Sequence, residues 1–328
     1  MSIIFDGKAF AHKKELQLKK EVDDLRSRGI VLRVKTFTFK EDAGSMLYTR
    51  LKKEAAARIG IMYEPVEYSL HDDIEQIAEA IKTASEEKGI TGVMVQKPAK
   101  AVFNQESIVN RNFEDWWSTL TAAIDSNKDV DCLTKENLER IYNLSPLSKG
   151  RIQEELVDGG EYVIPATVRA CLAILEEAKR VLSISNEEWK KKKTLVIGRS
   201  DIVGKPLAAL LKQRCATVEN WGRKELEKSI KKFSIFNFQF SKNIHKRDHF
   251  LTTDFDIIIS AVGKPNLITG TRVKEGAIVI DVGAPKGDVE RESVESTASF
   301  LTPVPGGVGP MTVICLMESI VEIGKNFL

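Results

Sequence analysis

The stretch TLVIGRSDIVGKPLAALL, residues 194–211, decides how this chain is read. Its first residues are apolar and β-branched, which predicts a buried strand, and KPLAALLKQR predicts a helix. Between them lies the turn GRSDIVGKP. Gly198 permits a tight turn or the close approach of a ligand, Gly204 lets the helix pack closely, and the free N–H groups of a helix start favour an anion. Downstream, ATVEN, DIIISAV (256–262) and AIVIDVG (277–283) predict further strands, the last two apolar enough to be central and parallel. The turn is not a Gly-x-Gly-x-x-Gly, so a dinucleotide site and a plain strand-to-helix connection both stand. Arg199 and Ser200 add a guanidinium and a hydroxyl, which suit a phosphate beyond the pyrophosphate, such as the 2′-phosphate of NADP. The competing role for Arg199 is a pair with a surface carboxylate.

Outward from this stretch the alternation continues. Lys8 to Arg28 predicts a helix ending near Gly29, IVLRVKTFTF (30–39) a strand, and Met46 to Arg58 a helix stopping at Gly60. IMYEPVEYS is strand-like, Asp72 to Lys88 helical and TGVMVQK strand-like again, a β/α pattern whose usual solution is a mostly parallel sheet covered by helices. SIVNRNFEDWW has no clear assignment, and its Trp116 and Trp117 serve either as packing anchors or as a cover over a pocket. A charged helix is predicted through Arg140, and PATVRACLAILEEA (165–178) predicts another. EEWKKKK (187–193) has the charge of a surface connection. The segment near 229–252, with Phe233, Phe236, Phe238 and Phe240, reads as an edge strand, a covering flap or a partner-binding patch.

Bulk properties narrow the function classes. A chain of 328 residues with 42% hydrophobic content holds one large domain or two ordinary ones. Its 49 Lys and Arg against 47 Asp and Glu leave a formal charge of +2, so no global field argues for nucleic acid or a membrane. Cys132, Cys171, Cys215 and Cys315 form no CxxC pair and fit a reducing compartment, and no His/Cys cluster has metal-ligand spacing. The start, MSIIFDGKAFAHKK, becomes charged too early for a secretory signal, so a cytoplasmic protein without membrane or nucleic-acid partners is expected. PVPGGVGPMT (303–312) is the second telling stretch, a stiff loop of close backbone approach leading into TVICLMESIVEI; a cofactor or substrate loop and a rigid connection both fit it.

Taken together, GRSDIVGKP, AVGKPNLITG followed by VKEGAIVIDVG, and PVPGGVGPMT resemble the bifunctional methylenetetrahydrofolate dehydrogenase/cyclohydrolase family over nearly the whole chain. YTRLK, VQKP and KDVD supply its N-terminal landmarks. The resemblance implies a two-domain α/β fold. An N-terminal folate-binding catalytic domain over 1–160 would be completed by the C-terminal helix 311–328, with a Rossmann-like NAD(P)-binding domain over 161–310 and the active cleft between them. It implies catalytic and folate-binding roles for Lys52, Tyr48, Gln96 and Asp131, with Pro305, Gly306 and Gly307 also on the substrate. Cofactor contacts would come from Gly198, Arg199, Ser200, Val203, Gly204 and Pro206, from Arg223, from Ala261, Val262 and Gly263, from Val282 and Gly283, and from Gly309 and Thr312. No metal is implied; a homodimer is. Independently of the resemblance, Tyr48 and Lys52 are four apart on a predicted helix and share a face. Without the resemblance Lys52 reads as a solvent-facing helix lysine, which stays charged; a desolvated amine there can move protons near neutrality.

The implied reaction oxidises 5,10-methylenetetrahydrofolate with NADP, then hydrolyses the methenyl product to 10-formyltetrahydrofolate. Four departures mark this chain. Cys132 stands where the family usually has Gly, QLPLP becomes QKPAK with Lys97 and Lys100, and PCTP becomes PATV, keeping Pro165 and Thr167. Finally, VENWGRK replaces a Cys-His-Ser sequence whose serine helps bind the cofactor phosphate. Arg223 can compensate there, whereas Glu219 can accept a ribose hydroxyl and favour NAD. The alternatives are an NAD-dependent dehydrogenase without cyclohydrolase activity and a non-catalytic folate- or nucleotide-binding interaction protein.

Overall fold

The computed structural model describes residues 2–106, 111–143, 163–215, 217–229 and 252–327. The Phe-rich segment, apart from residues 229 and 252, and the expected boundary at 160/161 lie outside the described residues. The chain forms two compact units, Met1–Ala9 with Thr167–Met311, and Phe10–Ala166 with Thr312–Leu328.

The second of these contains a parallel sheet of β2 (Arg33–Phe39), β3 (Met62–Tyr68) and β4 (Gly92–Val95), ordered β3-β2-β4. Its helices include α2 (Ala43–Ile59), α3 (Ile74–Glu86), α5 (Phe113–Ala122) and α6 (Lys135–Tyr142). β2 is central, and Val34, Thr36, Phe37, Thr38 and Phe39 are all buried, as a strand covered on both faces requires. It begins three residues later than its β-rich sequence predicts. The preceding residues instead close the helix Gly7–Ser27: the Gly29 and Ile30 N–H groups donate to Arg26 and Leu25 carbonyls. α2 begins three residues earlier than predicted because Asp42 caps it, accepting from the Gly44 and Ser45 N–H groups at 3.0 and 3.2 Å. SIVNRNFEDWW resolves at its end into α5, capped by Asn112. Trp116 is a packing anchor there, its ring 4.9 Å from those of both Phe39 and Phe103.

After α5 the chain runs beside β4, with a parallel bridge between Val93 and Asp129. Gly92 makes this possible, since a Cβ at that position would overlap Val130 Cγ1.

The other unit holds six parallel strands ordered β1-β9-β8-β7-β5-β6. These are β1 (Ile3–Ile4), β5 (Lys193–Ile197), β6 (Thr217–Trp221), β7 (Ile257–Ser260), β8 (Ile278–Asp281) and β9 (Phe300–Leu301). Leu195, Val196, Ile197, Ile257, Ile258 and Ile259 are fully buried. β6 and β7 flank β5 on opposite sides, so the strand order reverses at β5. The crevice beyond the carboxyl ends of strands at such a reversal is where open α/β sheets bind ligands. The turn 198–204 and the loop 261–263 both leave the sheet there. EEWKKKK is not only a connection: Asn186–Lys191 is a helix with a Ser185/Glu188 capping box and a buried Trp189.

Gly92→Ala should lower stability by about 1–3 kcal/mol, because the added methyl forces Val130 out of its packed position. Urea unfolding measures the loss, and the double variant with Val130→Ala should show a smaller deficit than the two single losses summed.

Candidate functional site

α2 buries a stripe at helical spacing, Ser45, Thr49, Lys52, Ala56 and Ile59, and one member is a lysine. Lys52 is only 5% exposed. Its Nζ donates to Gln96 Oε1 at 2.8 Å and lies 3.9 Å from Met94 Sδ. Burial pushes the amine below the usual lysine value, while the charge of Asp131 pulls it the other way. Asp131 is half-buried, and burial raises its carboxyl above the ordinary range. Lys52 and the Ala166 N–H, which donates to Asp131 Oδ1 at 2.8 Å, oppose that rise, and Asp129 reinforces it. Lys52, Gln96 and Asp131 thus form one polar neighbourhood. Tyr48 is half-buried one helical turn before Lys52.

Two aspartates that carried no expectation fix this neighbourhood. Besides capping α2, Asp42 Oδ2 accepts from Ser45 Oγ at 2.8 Å and from the Ala99 N–H at 2.7 Å. Ser45 Oγ also lies 3.2 Å from the Lys97 carbonyl. The start of the lysine's helix is therefore tied to the loop that follows Gln96. Burial alone would raise Asp42, yet the Ala99, Ser45 and Gly44 donors outweigh it and hold the carboxyl below its ordinary value. Asp129, fully buried, accepts from the Leu133 and Thr134 N–H groups at 2.9 and 2.8 Å and from Asn137 Nδ2 at 3.0 Å. These bonds shape the turn that presents Asp131. Cys132 in that turn has φ +53°, a left-handed conformation that glycine adopts without strain, and Asp131 nevertheless keeps its bond from Ala166. The visible signals were the Asp-x-Gly-Ser cap pattern and the first aspartate of KDVD.

The lysines of QKPAK sit on aromatic faces. Lys97 Nζ is 4.8 Å from the Trp117 ring centre, and Lys100 lies 5.5 Å from that of Phe113 while pairing with Glu114 at 2.9 Å.

In the six-stranded unit, Gly198 has φ +117°, and a Cβ there would stand 2.5 Å from the Ala261 carbonyl oxygen. A Cβ on Gly204 would overlap the Gly198 carbonyl. The turn is a backbone-to-backbone contact that excludes side chains, a cradle fit for a phosphate. Ser200 Oγ accepts from the Gly204 N–H at 3.4 Å, and Val203 and Pro206 are buried beside it. Arg199 donates from Nε and Nη2 to the Asn220 carbonyl at 3.1 and 2.8 Å and pairs with Glu225 at 3.3 Å. Asn220 Nδ2 returns a bond to the Gly198 carbonyl at 2.6 Å. Glu219 accepts from Trp221 Nε1 at 2.7 Å, and Arg223 is exposed and paired with Glu227.

The neighbouring loops are held by buried carboxylates. Asp288 Oδ2 accepts from Ser260 Oγ and the Val262 N–H, each at 2.8 Å, and Asp281 accepts from the Gly283, Asp288 and Val289 N–H groups at 2.9, 3.0 and 2.9 Å. Burial raises Asp281, partly offset by those donors. Val262 and Gly263 are exposed, Ala261 and Val282 half-buried, and Gly283 buried. In the loop 303–307, Pro305 is exposed and Gly306 has φ +106°, while the Gly307 N–H donates to the Pro303 carbonyl at 2.9 Å. Gly309 lies in the first turn of the helix Val308–Lys325, and Thr312 begins the second.

A six-stranded parallel sheet with a close-packed glycine turn at its strand reversal, and a separate unit with a buried lysine beside an aspartate, define a two-domain enzyme with a nucleotide-binding half. More narrowly, the chain belongs to the tetrahydrofolate dehydrogenase/cyclohydrolase family. The family's catalytic domain matches residues 5–131, and its NAD(P)-binding domain matches 165–236 and 239–327. The bifunctional protein FolD of Lactobacillus acidophilus is 34% identical over 332 residues, covering 99% of this chain and 98% of that one. The bifunctional methylenetetrahydrofolate dehydrogenase/cyclohydrolase FolD of Campylobacter jejuni shares the fold with TM-score 0.76 at 27% identity, covering 100% of each chain. The Trypanosoma brucei methylenetetrahydrofolate dehydrogenase-cyclohydrolase, solved with NADP cofactor and an inhibitor, gives TM-score 0.76 at 27% identity over 99% of this chain and 98% of that one.

The coupling of Lys52 and Asp131 has a pH signature. A depressed lysine subtracts stability while its buried amine is charged, and that stability returns as pH rises towards the ordinary lysine value. A raised aspartate contributes most below its ordinary pKa and loses that contribution as pH rises through the folded value. Lys52→Met deletes the first effect and removes the cation that restrains the second. The wild type should therefore gain stability relative to Lys52→Met as pH rises from about 5 to about 9. Urea unfolding across that range measures it, and parallel stability curves would contradict the coupling.

Proposed function

We propose that this chain oxidises 5,10-methylenetetrahydrofolate to the methenyl form with NADP and then hydrolyses that product to 10-formyltetrahydrofolate. The observation that carries the reading is the buried Lys52 amine, bonded to Gln96 and facing the charge of Asp131, in a chain of this family. Folate chemistry is assigned to the unit with the three-stranded sheet, and the cofactor to the unit with six strands.

NADP, when bound, accepts the hydride that leaves the one-carbon bridge. The 198–204 turn supplies its phosphate cradle and Arg199 its 2′-phosphate partner, with Arg223 adding positive charge at the same strand end. Ala261 to Gly263, Val282, Gly283, Gly309 and Thr312 complete the assignment, and Pro305 to Gly307 border the substrate.

For ring opening, water adds to the methenyl carbon and passes a proton to the Lys52 amine, whose burial favours its uncharged form. Gln96 fixes that amine through the 2.8 Å bond, and Tyr48 orients the folate from the same helix face. The resulting ammonium returns a proton to the ring nitrogen; as the bond from that nitrogen to the bridge carbon breaks, the added hydroxyl gives up its remaining proton to water and becomes the formyl carbonyl on the other nitrogen, so one proton is released overall. Asp131 holds the pterin and, as an anion, steadies the ammonium stage.

The reading includes a cytoplasmic homodimer. Four free, buried thiols suit a reducing compartment. Among the described residues β3 is an edge strand whose outer main-chain groups suit pairing with a second copy. Light scattering reads the assembly directly, and a monomer at micromolar concentration would remove it.

The deciding experiment follows methenyl and formyl products from methylenetetrahydrofolate with NADP and with NAD. Lys52→Met should lose cyclohydrolase activity by about 10²-fold or more. If the wild type makes neither product with either cofactor, the enzyme reading fails; if hydride transfer proceeds without accelerated ring opening, a dehydrogenase alone remains. Arg199→Ala should raise KM for NADP about tenfold while that for NAD changes less than about twofold.

A further inference from the structure

Arg199 already holds an anion supplied by the chain itself. Its Nη2 lies 3.3 Å from Glu225 Oε1, and the second oxygen of that carboxylate accepts the Gly222 N–H at 2.9 Å. A guanidinium and a main-chain N–H on one carboxylate are the donor types that bind a phosphate oxygen. The backbone N–H groups of Glu225 and Gly222 hold this carboxyl below its ordinary range, and Arg199 and Lys228 assist. Glu225 is therefore an anion at neutral pH.

Both partners keep access to water, with side-chain exposures of 47% for Arg199 and 33% for Glu225, so the pair is exchangeable. Space beside it is limited: a Cβ on Gly222 would stand 3.0 Å from Arg199 Cδ and 3.3 Å from Glu225 Oε2. A phosphate drawn to Arg199 meets a carboxylate already in place. Glu219, the other acid at this strand end, is bonded to Trp221 Nε1 instead.

Resting on the reading of Arg199 as the anchor for the 2′-phosphate, we infer that Glu225 is a specificity-determining residue whose carboxylate competes with that phosphate for Arg199. It narrows the preference for NADP over NAD, because NAD carries a hydroxyl at that position and meets no charge repulsion. Family features had placed the choice between cofactors on Glu219 and on a missing serine. The side-chain geometry moves it to a glutamate six residues later.

Glu225→Gln tests this directly, since the amide keeps an oxygen for the Gly222 N–H and removes only the charge. Wild type and variant are titrated calorimetrically with NADP and NAD, and with 2′,5′-ADP and 5′-AMP as probes lacking the nicotinamide. The variant should bind NADP and 2′,5′-ADP about three- to fivefold more tightly, with NAD and 5′-AMP unchanged within about twofold. No change, or an equal change for all four ligands, overturns the inference. Arg199→Ala separates the two levels of the argument. If it weakens 2′,5′-ADP binding while Glu225→Gln gains nothing, the competition is wrong and the cofactor assignment stands. If it leaves 2′,5′-ADP binding unaltered, the assignment of Arg199 fails, and the inference falls with it.

Discussion

Burying the amine of Lys52 penalises its charged form, and much of the three-stranded unit is arranged around that penalty. The lysine takes a place in α2 where the helical spacing calls for an apolar side chain, between Thr49 and Ala56 on the inner face. A long, flexible chain tolerates this only if its terminal nitrogen finds an acceptor and a compensating charge. Gln96 supplies the first, from the end of β4, and Asp131 the second, from the segment bridged to β4. Gly92 is then required by the lysine indirectly: without its open face, the segment carrying Asp131 could not lie against the strand that carries Gln96.

The six-stranded unit depends on steric closeness more than on charge. Gly198 and Gly204 bring a strand end, a helix start and the Ala261 carbonyl into contact with no side chain between them. Helix-start N–H groups lie at such a point, which suits a phosphate before any arginine is considered. In the proposed function Arg199 then bears on which nucleotide is preferred rather than on whether one binds. Its bonds to the Asn220 carbonyl orient the guanidinium across the strand pair β5–β6, and Asn220 in turn binds the Gly198 carbonyl, so the arginine and the turn form one assembly.

How much of this was legible beforehand differs by physical cause. Strands such as DIIISAV and AIVIDVG announce themselves because burial on both faces leaves continuous apolar runs. Helix starts were displaced by two or three residues at Asp42 and Asp73, because a cap acts through one side-chain oxygen and leaves no periodic trace. Strand β1 was missed altogether: two residues, Ile3 and Ile4, carry no alternation, and only β9 across the sheet makes them a strand. Lys52 shows the limit most clearly. Composition and spacing read it as a solvated helix lysine, family motifs read it as catalytic, and neither reveals Met94 at 3.9 Å or the tie from Asp42 to Ala99 that sets the helix start. Contacts between residues fifty positions apart have no local signature.

Both units hold their loops with the same device. Asp42 follows β2, Asp129 lies where the chain runs beside β4, Asp281 ends β8, and Asp288 reaches across to the end of β7. Each is buried and accepts main-chain N–H groups, two to three apiece for Asp42, Asp129 and Asp281 and one for Asp288 beside the hydroxyl of Ser260. The location follows from parallel-sheet geometry. Beyond the carboxyl ends of parallel strands the chain must turn, ladder bonding stops, and the N–H groups of turns and helix starts are left without sheet partners. A short acidic side chain satisfies several of them at once, and the same partial positive field that stabilises the carboxylate is the one a bound phosphate would meet. Only the donors left unclaimed by these aspartates remain for a ligand. In the 198–204 turn no buried aspartate claims the N–H groups, the Gly198 N–H going to the Trp221 carbonyl and the Gly204 N–H reaching Ser200 Oγ at 3.4 Å, whereas beside β7 and β8 aspartates take them, so the proposed phosphate contact is assigned to the end of β5 and not to its glycine-bearing neighbours.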